Sequence, residues 1–313
     1  MNSIFKIIYI FLLCVSYSNT TFTSFFKTNI SNKYINQTKL IVFGDIGYYN
    51  ERLYKMINIS KSIMNNNDKI ILLGDNFYYD GVEDIYDPLW NTYEYFFKNI
   101  SKNNIYSVIG NHDYHKNPRS QINNIYWNTP SFYYKLELDN SADLFFIDTV
   151  QLYKEHCNIT TSKIERVHNK DINIIENEQI EWLNWELMKS YHKKKIIFGH
   201  YPIVSNGFYE KLMDPFYNVL LPILIRYNVS AYVSGHEHNI QYVNKKIEYY
   251  NLNQFIIGSS SENRVNEYRN TNISHNDMFD NNSNYILIIY LNNDKIVFDF
   301  MNENKTITYK YTI

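Results

Sequence analysis

The sequence predicts a mixed α/β fold in which two stacked mixed β-sheets are flanked by helices. Three observations support this. Five short apolar runs each end in a glycine followed at once by a side chain able to bind a metal ion. Helical patterns alternate with such runs early in the chain. Consecutive strand-sized apolar segments dominate late in the chain. Alternating helices imply parallel pairing and consecutive strands imply antiparallel pairing. Two stacked sheets between helices would bury every apolar strand.

The five runs carry the reading. Residues 39–43 precede Gly44-Asp45, and residues 69–73 precede Gly74-Asp75-Asn76-Phe77-Tyr78. Residues 105–109 precede Gly110-Asn111-His112-Asp113, residues 195–198 precede Gly199-His200, and residues 231–234 precede Gly235-His236-Glu237-His238. Each run has the length and composition of a buried strand. Glycine lets the chain turn sharply off a strand and removes a side chain that would crowd a site. Only 9 glycines occur in the chain, so five at these points is a concentration rather than scatter. Strand carboxyl ends are where α/β sheets present functional groups.

The segments between are consistent with that order. Residues 50–64 keep Leu53, Met56, Ile57, Ser60 and Met64 on one helical face, and the asparagines at 65–67 end the helix. Asp87 and Pro88 form a helix start, with Leu89, Trp90, Tyr93 and Phe97 following to about residue 100. Residues 132–138 and 143–148 read as neighbouring strands joined by the turn at 139–141. A polar stretch at 153–177 has no clean period, and a loop of that length in a compact domain is functional or disordered. A helix over 178–191 with Ile180, Leu183 and Leu187 inward leads to the strand before His200. Asp214 and Pro215 start another helix, perturbed by Pro222. Strands at 240–243, 255–257, 285–291, 296–300 and 306–311 complete the chain, interrupted by an asparagine-rich loop at 262–284.

Bulk properties bound the function. A chain of 313 residues that is 45% hydrophobic can bury a sizeable core. The formal net charge of -2 gives no reason to expect a nucleic-acid partner. Lys6 beside the apolar residues 7–15, then Ser16 and Ser18, read as a signal peptide over 1–20, with an uncleaved anchor as the alternative. A single domain over 38–313 follows, expected to be a monomer secreted or held in the lumen of an acidic vacuole or lysosome. Of two cysteines, Cys14 lies in the signal, so Cys157 has no intrachain partner and is read as a free thiol, with an intermolecular pairing as the alternative. Asn36, Asn99, Asn158, Asn272 and Asn304 are sequons; Asn228 directly precedes a strand and is a poor one.

Asp45, Asp75, Tyr78, Asn111, His200, His236 and His238 are the candidate metal ligands. Seven groups exceed one tetrahedral zinc site, and their oxygen and imidazole donors suit hard to borderline ions. A carboxylate can bridge, so Asp75 could serve two ions. Two close metals are a standard device for phosphate-ester hydrolysis.

With these motifs in place the chain resembles the purple acid phosphatases, of the small tartrate-resistant mammalian type, within the calcineurin-like metallophosphoesterases. The resemblance rests on Gly44-Asp45-Ile46-Gly47, residues 74–78, Gly110-Asn111-His112, Gly199-His200-Tyr201-Pro202 and residues 235–238, in family order. It extends to Trp127-Asn128-Thr129-Pro130, residues 146–150 and 239–242, and covers roughly 39 to 300. It implies the four-layer α/β/β/α sandwich of that superfamily. It also implies acid hydrolysis of phosphate monoesters, small or on phosphoproteins, by a metal-bound hydroxide at a dinuclear centre. Asp45, Tyr78 and His238 would hold Fe(III), Asp75 would bridge, and Asn111, His200 and His236 would hold a divalent Fe, Zn or Mn. His112 would contact phosphate or protonate the leaving oxygen, with Asn111 and Tyr209 also at the substrate. Asp113 is expected to orient His112 or to be a simple turn residue. A family histidine is replaced by Tyr209, followed by Glu210, so acid assistance would be weaker or the optimum shifted. Residues 153–177 would correspond to a loop that restrains activity until cut.

Several residues carry plainer alternatives. His168 and His192 read as surface residues, and Glu237 as solvent-facing or supporting a ligand. His115 could approach the substrate or be an idle loop histidine. For the whole chain the alternatives are a non-catalytic scaffold of the secretory pathway related to these phosphatases, and a protein phosphatase or nuclease of the wider superfamily. The latter place a histidine where this chain has Gly47.

Overall fold

The strands fall where apolar runs meet turn residues. A computed structural model describes residues 38–138, 142–157, 172–191, 193–209, 214–264, 277–292 and 294–313. The signal-peptide reading, the turn at 139–141, Cys14, His168, His192 and Glu210 lie outside these residues. The strands are β1 (Lys39–Phe43), β2 (Lys69–Leu72), β3 (Ile105–Ser107), β4 (Tyr134–Leu138), β5 (Ala142–Phe146), β6 (Lys194–Phe198), β7 (Ala231–Ser234), β8 (Ile240–Ile247), β9 (Tyr250–Ile257), β10 (Met278–Asp280), β11 (Tyr285–Leu291), β12 (Ile296–Asn302) and β13 (Ile307–Thr312). The helices are α1 (Glu51–Ile63), α2 (Leu89–Phe97), α3 (Thr149–Cys157), α4 (Ile172–Lys189) and α5 (Asp214–Arg226).

Local chemistry sets the helix starts. The Asn50 side chain accepts from the Leu53 N–H at 3.0 Å and caps α1. The Asp87 carboxylate accepts from Leu89 N–H at 3.0 Å, and Pro88 follows it at the start of α2. Pro222 is accommodated inside α5.

Six strands form one sheet in the order β13-β12-β11-β1-β2-β3, with β1, β2 and β3 parallel. Seven form the other in the order β10-β8-β9-β7-β6-β5-β4, with β5, β6, β7 and β9 parallel. Residues 39–313 make one compact unit. Side chains alternate between two buried faces. Leu40 and Val42 of β1 point between the sheets with Phe146, Phe198, Val233 and Phe255. Ile41 and Phe43 point outward under Met56 and Trp90 of α1 and α2. On the far side Phe145, Ile197 and Tyr232 meet Leu183, Leu187 and Phe216 of α4 and α5. Burial on both faces is why these strands read as unbroken apolar runs. The expected two-sheet sandwich between helices is therefore the observed fold.

Three element readings are corrected. The helix expected over 178–191 is α4, Ile172–Lys189, and α3 occupies 149–157, so both ends of the polar stretch 153–177 are helical. The period was hidden because extending the Ile180–Leu183–Leu187 stripe backwards reaches Glu176 and Asn173. Residues 158–171, the middle of the proposed restraining loop, lie outside the described residues. A short strand, β10, lies within the 262–284 stretch read as loop. Among the described residues no helix is long and apolar enough to cross a membrane.

Phe255 and Phe298 stack across the two sheets at 3.9 Å, both fully buried. Replacing Phe255 by Ala is expected to lower stability by about 3–5 kcal/mol. Urea unfolding reads this, and a cost below about 1 kcal/mol would contradict the packing described.

Candidate metal centre

All seven predicted ligands lie at the carboxyl ends of parallel strands of the two sheets. Asp45 follows β1, Asp75 and Tyr78 follow β2, and Asn111 follows β3. His200 follows β6, and His236 and His238 follow β7. The chain is bent sharply there. Asp45, Asp75 and His236 have φ of 57°, 49° and 70°, the left-handed region that side-chain-bearing residues seldom occupy. Such conformations cost on the order of 1–3 kcal/mol each and persist only where the surroundings over-determine them. Here the surroundings do: Asp45 Oδ2 accepts from the His236 N–H at 2.9 Å, and Asp75 Oδ1 accepts from the His112 N–H at 2.9 Å.

The glycine pattern also finds its cause. A Cβ on Gly110 would lie 2.2 Å from Asp75 Oδ1, and one on Gly235 would lie 2.5 Å from Asp45 Oδ2. Each glycine makes room for a carboxylate delivered by a different strand, as well as letting its own chain turn.

The donors converge without a proton to reconcile them. The Tyr78 phenol oxygen is 3.1 Å from Asp45 Oδ1, 3.0 Å from Asp75 Oδ2 and 2.9 Å from His238 Nε2. One hydroxyl hydrogen cannot satisfy two carboxylates. His200 donates through Nδ1 to the Leu73 carbonyl at 2.8 Å, so its Nε2 lone pair faces Asn111 Oδ1 at 3.0 Å and Asp75 Oδ1 at 3.4 Å. Asp45, Asp75 and His200 offer ligand atoms within 4.8 Å of one another. Lone pairs aimed at a common space are what a bound cation requires, so the residues fit a metal centre.

Electrostatics agree. Burial, and then the Asp75 charge, push the Asp45 carboxyl well above the usual range. Burial also raises Tyr78, with Asp45 and Asp75 adding to it. Burial works against the Asp75 carboxylate too, but His200 and His112 hold it below its ordinary value. Burial lowers His200 and lowers His236 further, so both imidazoles stay neutral with a lone pair to offer. Two raised acids and two neutral imidazoles in one buried cluster are what cations would relieve.

The surroundings correct and extend the sequence reading. Asp113 does not orient His112. Its buried carboxylate accepts from the N–H groups of Gly110 at 2.9 Å, Asn76 at 3.0 Å and Phe77 at 3.2 Å, fastening the turns after β2 and β3 together. The ring of His112 is held instead by the Tyr79 carbonyl, 2.7 Å from Nδ1. Glu237 is fully buried rather than solvent-facing, and it accepts from the Ser205 hydroxyl and, at 3.0 Å, from the Tyr209 N–H. Tyr209 is thereby brought beside the cluster, its ring 4.2 Å from that of His236. Sequence reasoning missed Tyr48, whose ring lies 4.3 Å from Tyr78. It also missed Glu262, whose Oε2 lies 3.3 Å from His238 Nδ1. Tyr48 directly follows the Gly44-Asp45-Ile46-Gly47 motif, so its place in the sequence was a signal, whereas Glu262 sits in no recognisable motif; a carboxylate within reach of a ligand histidine is a general supporting device that only the fold reveals.

The chain belongs to the calcineurin-like phosphoesterase family, which matches residues 38–239. Within that class it is similar to tartrate-resistant acid phosphatase type 5 of Homo sapiens, 34% identical over 191 residues, 56% of this chain and 57% of that protein. It is likewise similar to purple acid phosphatase 3 of Arabidopsis thaliana, 32% identical over 189 residues, 56% and 50% of the two chains. The chain thus spans about half the length of the curated relatives it matches. Among solved structures, "GAP50 the anchor in the inner membrane complex of Plasmodium" superposes with a TM-score of 0.70 at 22% identity, covering 88% of both chains. A purple acid phosphatase from yellow lupin (Lupinus luteus) superposes with a TM-score of 0.64 at 13% identity, covering 88% of this chain and 53% of that one. At these identities the structural likeness is one of fold.

A buried carboxyl behind the site gives a pH prediction. Asp148 follows β5, accepts from the Tyr114 hydroxyl and from the Val150 N–H at 3.1 Å, and is pushed up to about 7 by burial. Its unfolded value is about 3.9, so the folded state holds the extra proton between these values. Its contribution therefore favours folding at acid pH and is lost as pH rises to about 7, with a slope of at most about 1.4 kcal/mol per unit. In thermal melts the advantage of the native chain over Asp148→Asn should narrow from pH 4 to pH 7. A constant or widening difference would contradict it.

Proposed function

We propose that this protein is an acid phosphatase that hydrolyses phosphate monoesters at a dinuclear Fe(III)–M(II) centre, where M is Fe, Zn or Mn. The observation that carries the reading is the Tyr78 oxygen set within 3.1 Å of Asp45, Asp75 and His238, beside the Asn111–His200 pair. Asp45, Tyr78 and His238 would hold the trivalent ion, Asn111, His200 and His236 the divalent ion, and Asp75 both. Such a centre, when bound, supplies positive charge for the phosphate and an acidified water.

The chain's own residues do the rest. Asp45, Asp75 and Tyr78 contribute three negative charges as ligands, against five positive on the ions, so an anionic ester is attracted. His112 keeps its Nδ1 hydrogen on the Tyr79 carbonyl and has its Nε2 4.0 Å from Asp75 Oδ2, which leaves Nε2 at the edge of the cluster to deliver a proton to a leaving oxygen. Tyr209, its ring 4.2 Å from that of His236, offers a hydroxyl to the substrate. No serine or cysteine nucleophile is needed. Substrates would be small phosphomonoesters or phosphoproteins, and the place of action a secretory or acidic luminal compartment, with the protein a monomer. The scaffold reading leaves the full set of seven donors without a purpose.

Purified protein should show a visible charge-transfer band with iron in metal analysis, and the band should vanish in Tyr78→Phe. Phenyl phosphate hydrolysis should be fastest below pH 7, and His200→Ala should lower kcat/KM by about 100-fold or more. Protein that stays colourless, metal-free and inactive after reconstitution would overturn the reading. An optimum above neutrality would refute the acid-phosphatase form of it.

A further inference from the structure

His112 has a partner that the ligand set does not explain. The rings of His112 and His115 lie 5.0 Å apart, at an interplanar angle of 58°. Both are tied through Nδ1 to one oxygen, the Tyr79 carbonyl, at 2.7 Å and 3.1 Å. Asp80 Oδ1 adds a second acceptor 3.3 Å from His115 Nδ1. A carbonyl and a carboxylate can only accept, so Nδ1 of each ring carries the hydrogen. The second nitrogen, Nε2, is thus left for other chemistry on both rings. Both side chains keep contact with solvent, 27% for His112 and 18% for His115, whereas His200 has none. A histidine kept only for packing has no need of a fixed tautomer, a shared anchor and an open Nε2.

We propose that His115 is a second substrate-contacting imidazole, pairing with His112 to bind the phosphoryl group from the side opposite the buried ligands. One proton would lie between His115 Nε2 and a phosphoryl oxygen, carried by either, so no other reactant is required. Tyr79 would set the spacing of the two rings through its backbone, and Asp80 would keep the His115 ring turned. The inference deepens the phosphoesterase reading and rests on it for the identity of the ligand.

The test separates the two ring nitrogens. Asparagine at 115 can reproduce the Nδ1 donor to Tyr79 but has nothing at Nε2; glutamine reaches toward the Nε2 position and lacks the tie. Holoenzyme with His115→Asn should bind inorganic phosphate about tenfold more weakly in calorimetry and show a matching rise in KM for phenyl phosphate. His115→Gln should recover part of that loss, and melting temperatures should stay close to native for both. If His115→Asn binds phosphate as the native protein does, His115 serves only to hold Tyr79 and the proposal falls. If His115→Asn is native-like while His115→Gln is weakened, the tie alone matters and it falls equally. The phosphate titration also decides matters if turnover is absent. Weaker phosphate binding by His115→Asn would then sustain this proposal, while the loss of turnover would count against the acid-phosphatase reading.

Discussion

The fold depends on two carboxylates crossing into space that two glycines leave open. Asp45 leaves the six-stranded sheet and lies against Gly235 and the His236 N–H of the seven-stranded sheet. Asp75 lies against Gly110 and reaches toward His200 across the same gap. His200 returns the connection through Nδ1 to the Leu73 carbonyl. The carboxyl edges of the sheets are thus joined by polar contacts where their middles are joined by Phe255 on Phe298. The apolar part positions the sheets, and the polar part fixes the donors to fractions of an ångström.

Support for the donors is layered. Asp113 collects three backbone N–H groups from two turns, and Asn76 connects onward to Ser107 Oγ at 2.9 Å and Gln121 Oε1 at 3.0 Å. Thr149 Oγ1 accepts from the N–H groups of both His200 and Tyr201, at 3.1 Å and 2.8 Å. These groups touch no candidate ligand atom, yet they decide whether the Asp75 and His200 side chains point at the same space. Glu237 does the same for the 205–209 turn.

Much of this was legible in the sequence because the parallel strands are buried on both faces. That burial makes runs such as residues 70–73 continuously apolar, and the glycine and ligand after each run mark its end. The antiparallel strand at 285–291 was equally plain. What escaped has a common cause: it depends on meetings between distant segments. Asp113 lies beside His112 in sequence, and adjacency suggested a contact; the fold turns its carboxylate to Asn76 and Phe77 instead. Glu262 and Tyr48 stand in segments with no periodicity, and only tertiary structure brings them to His238 and Tyr78. Helix α4 was read short because polar residues at 173 and 176 interrupt its stripe.

The left-handed backbone at Asp45, Asp75 and His236 has an implication for how such a site is kept. Three donors sit where glycine would be at ease, so the folded chain is under tension at the positions that define its chemistry. Glycine at Asp45 or Asp75 would ease the backbone but remove a carboxylate that fastens two turns together, so there the fold and the centre are kept by the same side chain. At His236 the contact to Asp45 is made by the backbone N–H and would survive in glycine. A descendant freed from the demands of the centre would therefore give up His236 before either carboxylate.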